Sequence, residues 1–416
     1  MRAGVHGLGP GLITGVADDD PSGISTYTIT GATQGYQLLW LSIVTLPMNI
    51  AVQSICARIG IVRGEGLART IGKRYGRGRL WPVVGLLFVA NVVNIGADIL
   101  AIAAVVDMLT PIPARWLVVP IGVAIALVEV IVPYPRFARY LKLLTLVIFA
   151  YVIGAFVADP DWSAALRATV LPRADWSGAT IQTIVAILGT TISPYLFFWQ
   201  ASEEVEEEQQ IGVSPNHTGA DEIAPLIRAA RADVGIGMVL ANVGFYFVVL
   251  TSAATLHASG RTDVQTATQA AEALRPLAGN AASLLFAAGI IGTGLLAIPT
   301  LAGSVAYAVA ELFDWPEGLN NTFRRAPQFY AVIALATLLG IALTFTSLGE
   351  IRALYLAAIV NGLIAPILLV VIMLLGGDRT VLGSFTASRA ARAVGWATTW
   401  TMLAASLVLL AGLLPR

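Results

Sequence analysis

The sequence predicts an all-α polytopic membrane protein with about eleven transmembrane helices, and three observations predict it. Of its 416 residues, 57% are hydrophobic and only 12% charged, whereas a soluble domain carries about a quarter charged residues. Apolar runs recur along the whole chain, many of them reaching the roughly 20 residues that cross a bilayer. Two of those runs, the first and the sixth, are interrupted by helix breakers.

The expected spans cover about 9–34, 37–60, 81–109, 114–134, 138–158, 179–201, 229–256, 281–311, 328–346, 351–376 and 394–413. No soluble domain fits between them, so residues 1–416 read as a single membrane domain. The longest gaps, around 158–178, 202–228 and 257–280, read as loops. The N-terminus lacks a basic region followed by a cleavage site, so no removable signal peptide is expected. Cys56 is the only cysteine, which excludes an intramolecular disulfide and argues against a Cys-based metal site. Net charge is zero, and nothing points to nucleic acid. No Gly-rich nucleotide loop, HExxH or Ser/His/Asp arrangement emerges, so no enzyme is expected.

Orientation follows from the 25 Lys and Arg. A cytoplasmic N-terminus leaves only Arg115, Arg167, Arg173, Arg261, Arg275, Arg352 and Arg416 outside, in accord with the positive-inside rule. The C-terminus is then outside. Compact size suggests a bacterial inner membrane.

The first span breaks at Asp20-Pro21-Ser22-Gly23 and the sixth at Gly189-Thr190-Thr191-Ile192-Ser193-Pro194. Proline removes a backbone donor and clashes with the preceding turn, and glycine relaxes the backbone. Unpaired backbone groups at membrane depth cost several kcal/mol each unless they line a cavity. The breaks lie five spans apart. Two five-span halves, about 9–158 and 179–376, would have opposite topology, with an extra helix at about 394–413. That is the pattern of an inverted repeat whose binding site lies where the interrupted helices meet. Unwound carbonyls and helix C-termini there favour a cation.

Asp18, Asp19 and Asp20 precede the first break. Successive helical residues point about 100° apart, so all three cannot face one ion unless the helix unwinds. Asp20 touches the break and is the expected ligand, with Asp18 and Asp19 lining the cavity or staying protonated. Asn91, Asn94 and Asp98 share one helical face, which suits either an aqueous pathway or interhelical hydrogen bonding. Glu129 lies in an unbroken apolar run and is expected to be structural. Glu203, Glu204, Glu206, Glu207 and Glu208 read as a solvated helix end, with a cation-concentrating mouth as the alternative. Gln53 and Asn361 are further polar positions for gating or packing.

The stretch GPGLITGVADDDPSGISTYTITGATQGYQLLW resembles the first span of the NRAMP divalent-metal transporters, which carries Asp-Pro-Gly-Asn. ILGTTISPYLFFWQ resembles their sixth span, with Ala-Thr-x-Met-Pro-His, and AVQSICARIGIVRGEGLA extends the likeness into span two. Across essentially the whole chain, the resemblance implies a LeuT-like fold and alternating access. The departures are specific. Gly23 stands where the family has Asn, Thr190 for Ala, Ser193 for Met, Tyr195 for His, Gln200 for a second His, and Ile95 with Asp98 for an Asp-x-x-Glu pair. This pattern resembles the divergent NRAMP-related magnesium transporters.

The resemblance implies a metal site of Asp20, Ser22, Gly23, Thr190 and Ser193, with Asp18, Asp19, Asn91, Asn94, Asp98, Tyr195 and Gln200 along the pathway. Thioether sulfur favours soft ions, so its loss suits hard ones. Mg²⁺ keeps several waters and takes only one or two carboxylates, and small replacements free volume for that water. The expected function is transport of Mg²⁺, and also Mn²⁺, with weak or no proton coupling. His6, His217 and His257, the three histidines, fall in termini or loops. Alternatives are a proton-coupled Mn²⁺ or Fe²⁺ importer, an organic-cation or amino-acid transporter, and a non-transporting membrane sensor. No resident cofactor and no obligate protein partner are expected beyond the transported ion and the bilayer.

Overall fold

The computed structural model describes residues 9–132, 134–210, 212, 220–264, 267–346 and 349–413. His6 and His217 lie outside them. Among the described residues every regular element is helical. In chain order these are α1 (Pro10–Ala17), α2 (Pro21–Gln34), α3 (Leu41–Arg63), α4 (Leu67–Tyr75), α5 (Arg77–Leu109), α6 (Ala114–Ile131), α7 (Tyr134–Leu144), α8 (Ile148–Val157) and α9 (Trp162–Val170). They continue as α10 (Gly178–Thr191), α11 (Pro194–Gln210), α12 (Ala220–Ser252), α13 (Ala267–Phe313), α14 (Pro327–Thr344), α15 (Gly349–Gly377), α16 (Arg379–Leu382) and α17 (Arg389–Leu413).

Among the described residues, eight stretches are long and apolar enough to cross a membrane, or nine if the bent pair Asn361–Gly377 and Arg379–Phe385 is one span. The expected first span falls short because its halves, α1 and α2, have only 8 and 14 residues. Proline stands at the first position of α1, α2 and α14, where its missing N–H costs nothing and its φ suits the helix.

Two expected gaps are largely helical. The segment from 202 to 210 continues α11, and α12 begins at Ala220. The stretch between spans two and three holds α4, whose Arg74 pairs with Asp378 at 2.8 Å. His257 was expected in a loop. It ends a π-helical turn that continues α12, and its Nδ1 lies 3.0 Å from the Ala32 carbonyl of α2.

The core is built around α5 and α13, the most extensive helix pair, with α14 and α15 against α5. On the side of the bundle where α1 begins, here the near side, α1 is buried along its whole length and packs chiefly on α12. Glycine permits that approach. A Cβ on Gly11 would collide with the Val234 backbone, and one on Gly15 with the Gly237 backbone. The start of α1 has no capping side chain of its own. Asp233 of α12 supplies one from a neighbouring helix, accepting from Gly9 N at 2.7 Å and Gly11 N at 2.6 Å. Orphan N–H groups of a helix start are closed in this way.

Asp233→Ala should therefore lower the thermal midpoint of the detergent-purified protein by the equivalent of about 1–2 kcal/mol, the value of a lost N-cap. Asp233→Asn, which keeps one acceptor oxygen, should lose less. Equal midpoints for all three proteins would show that the docked α1 does not depend on this cap.

Candidate functional site

The two breaks meet. In the first span the helix stops at Ala17, and Asp18, Asp19 and Asp20 form the connection to α2. All three are buried, and they diverge as unwinding allows. Asp20 is the N-cap of α2. Its Oδ1 accepts from Gly23 N at 2.7 Å and from Ser22 Oγ at 2.6 Å, so the positive end of α2 faces a carboxylate. The Asp18 carboxyl lies against Ser193. Asp19 turns away, beside Tyr27 and against Gly244 of α12, where any Cβ would collide with its Oδ2.

Gly23 marks the convergence. A Cβ there would lie 3.2 Å from the Asp18 carbonyl oxygen, 3.3 Å from Thr190 Oγ1 and 3.4 Å from Asp20 Oδ1. Three oxygens from both broken spans thus surround a position that carries no side chain. In the sixth span, Ile192 and Ser193 separate α10 from α11. The Ser193 hydroxyl donates to the Thr190 carbonyl at 2.9 Å, and the Tyr195 hydroxyl donates across to the Ala17 carbonyl at 2.8 Å. Among the described residues, no three His, Cys, Asp or Glu side chains converge as a metal cage.

The structure sorts the remaining sequence candidates. Asp98 of α5 reaches the Ser22 backbone and lies near Asp20, although neither of its oxygens completes a well-formed hydrogen bond. Asn94 is buried in the same helix. Asn91 donates to the Leu301 carbonyl at 3.0 Å and to Ser304 Oγ at 2.8 Å, which ties α5 to α13. Gln200 is buried one to two turns beyond the break and donates to Glu204 at 2.7 Å. Glu129 is buried, and neither oxygen has a hydrogen-bond partner within the described residues. Gln53 and Asn361 are buried, each with an unpartnered side-chain oxygen.

A cavity of about 460 Å³ lies on the far side, toward the end of α2. Thr26, Thr30 and Gln34 of α2, Gln182 and Gly189 of α10, Gly362 of α15 and Ser406 of α17 contribute to its wall. It reaches the residue next to Thr190. The near half is closed by the buried α1 and by α11, whose residues Pro194 to Glu204 are all buried.

The acidic run of α11 was expected to be solvated, and it is not. Glu203, Glu204, Glu206 and Glu208 are buried. The reason is a set of donors on distant elements. The Tyr307 hydroxyl of α13 faces Glu203 at 3.0 Å and Glu206 at 3.2 Å, and Asn320 N donates to Glu206 at 3.0 Å. Next to them, Glu311 accepts from Arg69 N at 2.8 Å and Ser202 Oγ at 3.1 Å. Arg69 also pairs with Glu317 at 2.7 Å. Burial and the Glu311 charge hold the Glu317 carboxyl above the usual carboxylate range, against the pull of Arg69.

This arrangement matches known proteins over most of the chain. The family model of natural resistance-associated macrophage protein-like proteins, Nramp, covers residues 11–412, and the chain belongs to that family. The divalent metal cation transporter MntH of Deinococcus radiodurans is 28% identical over 397 residues, 94% of this chain and 86% of that protein. MntH of Pectobacterium carotovorum subsp. carotovorum is 25% identical over 396 residues, 93% of this chain and 90% of that one. Among solved structures, the Eremococcus coleocola manganese transporter in complex with an aromatic bis-isothiourea substituted compound superposes with a TM-score of 0.79 at 20% identity, covering 96% of this chain and 85% of that one. Mhp1, a nucleobase-cation-symport-1 family transporter, does so with 0.60 at 13% identity, covering 97% and 92%. The fold is the expected LeuT-like one, and the protein is a multi-pass membrane protein.

Tyr307→Phe should remove the one hydroxyl proton that Glu203 and Glu206 share, and the acceptor of Leu319 N, while keeping the ring against Trp199 and Phe329. A cost of about 1–3 kcal/mol is expected for the exposed deficit, read as a lower thermal midpoint. An unchanged midpoint would mean that these carboxylates do not depend on the phenol.

Proposed function

We propose that the chain is a divalent metal cation transporter that prefers hard ions, chiefly Mg²⁺ with Mn²⁺, and works by alternating access with weak or no proton coupling. The observation that carries this reading is the oxygen set around Gly23: one carboxylate, one hydroxyl and one backbone carbonyl, without sulfur or imidazole. Mg²⁺ is held by one or two carboxylates and keeps most of its water, and a soft ligand is what would have favoured Fe²⁺ over it. The missing side chain at Gly23 leaves room for that water.

Access supports the same reading. With the N-terminus cytoplasmic, the far side is extracellular, and the cavity between α2 and α10 leads from it toward Thr190. The packed α1 and α11 then close the cytoplasmic path. This is an outward-facing arrangement, and inward opening requires α1 to leave α12. No histidine lies at the breaks, so the side chain whose ordinary pKa lies near neutral is absent there.

A second reading, a proton-coupled Mn²⁺ importer, draws on Asp98 beside Ser22 and on the relatives, which are named for divalent metal cations and manganese. Proteoliposomes with internal Mg²⁺ and pH dyes separate the two. Inward gradients of Mg²⁺ or Mn²⁺ should produce entry without matching acidification, and Asp20→Ala should abolish it. Mn²⁺ entry with acidification and no Mg²⁺ flux would favour the importer instead.

Gly23→Asn adds an amide oxygen at the convergence. It should lower the KM for Mn²⁺ relative to Mg²⁺ by about tenfold, as one ligand worth ~1.4 kcal/mol would. Proportional changes for both ions in parallel uptake assays would argue that the space at Gly23 does not hold the ion's water.

A further inference from the structure

A broken helix ends in backbone carbonyls without intrahelical partners. In an unwound membrane helix such carbonyls are ready ligands for a cation. In α1, the carbonyls of Gly15 and Val16 accept from Asp18 N and Asp19 N at 3.2 Å each. The Ala17 carbonyl is the next one along the chain. It accepts from Tyr195 Oη at 2.8 Å, in a fully buried contact that joins residues 178 apart in sequence. The Thr190 carbonyl, at the end of α10, is engaged in the same manner by Ser193 Oγ at 2.9 Å. The Asp18 carbonyl is left, and it faces Thr190 Oγ1 and Asp20 Oδ1 over Gly23. Both hydroxyls come from residues 193–195, the turn that starts α11.

We infer that Tyr195 is a positioning residue for ion selectivity: by engaging the Ala17 carbonyl it withholds that oxygen from the ion and so keeps water in its place. Ser193 does the same at the Thr190 carbonyl. The inference rests on the proposed metal transport and adds the reason for a hydrated ion. A carbonyl that accepts a buried hydrogen bond is the poorer metal ligand, because one of its two lone pairs is already engaged and its direction is fixed by the donor. The remaining protein oxygens are too few to strip a divalent ion, which suits Mg²⁺ because it dehydrates reluctantly. Tyr195→Phe frees the carbonyl while keeping the buried ring. The gain should go to Mn²⁺, which exchanges water for a protein oxygen more readily.

The test uses the purified full-length chain with Mn²⁺ or Mg²⁺ alone. Calorimetry gives Kd for both ions, and pulsed electron spin resonance in heavy water counts the waters on bound Mn²⁺. A six-coordinate all-oxygen Mn²⁺ held by three protein oxygens should carry about three waters in the wild type. Tyr195→Phe should remove one water and lower the Kd for Mn²⁺ about fivefold, as one hydrogen bond's worth of binding would, with the Kd for Mg²⁺ little changed. Ser193→Ala should act in the same direction. A merely structural role for the phenol would move both ions together and leave the water count alone, and that result would overturn the inference. Should Tyr195→Phe not fold, two or fewer waters in the wild type would overturn it just as well. A wild type that binds and carries divalent ions but fails these tests loses only this inference, whereas one that binds neither ion takes the proposed function with it.

Discussion

Two helices stop and restart inside the bundle, and the rest of the structure depends on closing the backbone groups they leave there. Each unpaired N–H or C=O at membrane depth costs several kcal/mol, and no lipid group can make it good. The closure is done by side chains. Asp20 caps the start of α2, with Ser22 bonded to the same oxygen. Tyr195 and Ser193 close the last carbonyls of α1 and α10. Asp233 caps the start of α1 from α12. The residues that make the breaks tolerable are also those that surround the oxygen cluster at Gly23. Stability and ion handling therefore share atoms.

The near side solves a harder problem, because it buries carboxylates as well as backbone. Glu203, Glu206 and Glu311 are each met by hydroxyl or backbone donors. Arg69 brings positive charge to the edge of this cluster, pairing with Glu317 through its side chain while its backbone N–H meets Glu311. Donors without charge hold an acid in place with little long-range pull. Such contacts exchange readily for water, which suits a surface that has to come apart when α1 moves. Deep salt bridges would cost more to separate.

Much of this was legible in the sequence. The breaks were, since proline, glycine and three acids inside apolar runs have few physical uses, and the two positions stand in corresponding spans. The buried acidic run was not. Five glutamates in six residues lower hydropathy as a solvated helix end does, and their partners Tyr307 and Asn320 lie about a hundred residues away. The role of Asn91 was equally hidden, because its acceptor Ser304 is 213 residues distant. Asp233 could have been suspected from one signal. The first helix begins at Gly9-Pro10 with no capping side chain, so its amides had to be met from elsewhere.

The departures at the breaks are linked by geometry rather than independent. A side chain at position 23 would crowd the Asp18 carbonyl, Thr190 and Asp20 at once. The serine at 193 and the tyrosine at 195 each put a hydroxyl on a helix-end carbonyl. A phenol differs from an imidazole in the respect that matters there. Its ordinary pKa near 10 keeps it protonated at neutral pH, so the hydroxyl stays an uncharged donor. One substitution can thus remove a titrating group from the pathway and remove a carbonyl from the ligand set. On the proposed function, weak proton coupling and preference for a hydrated hard ion have a common origin in the first turn of α11.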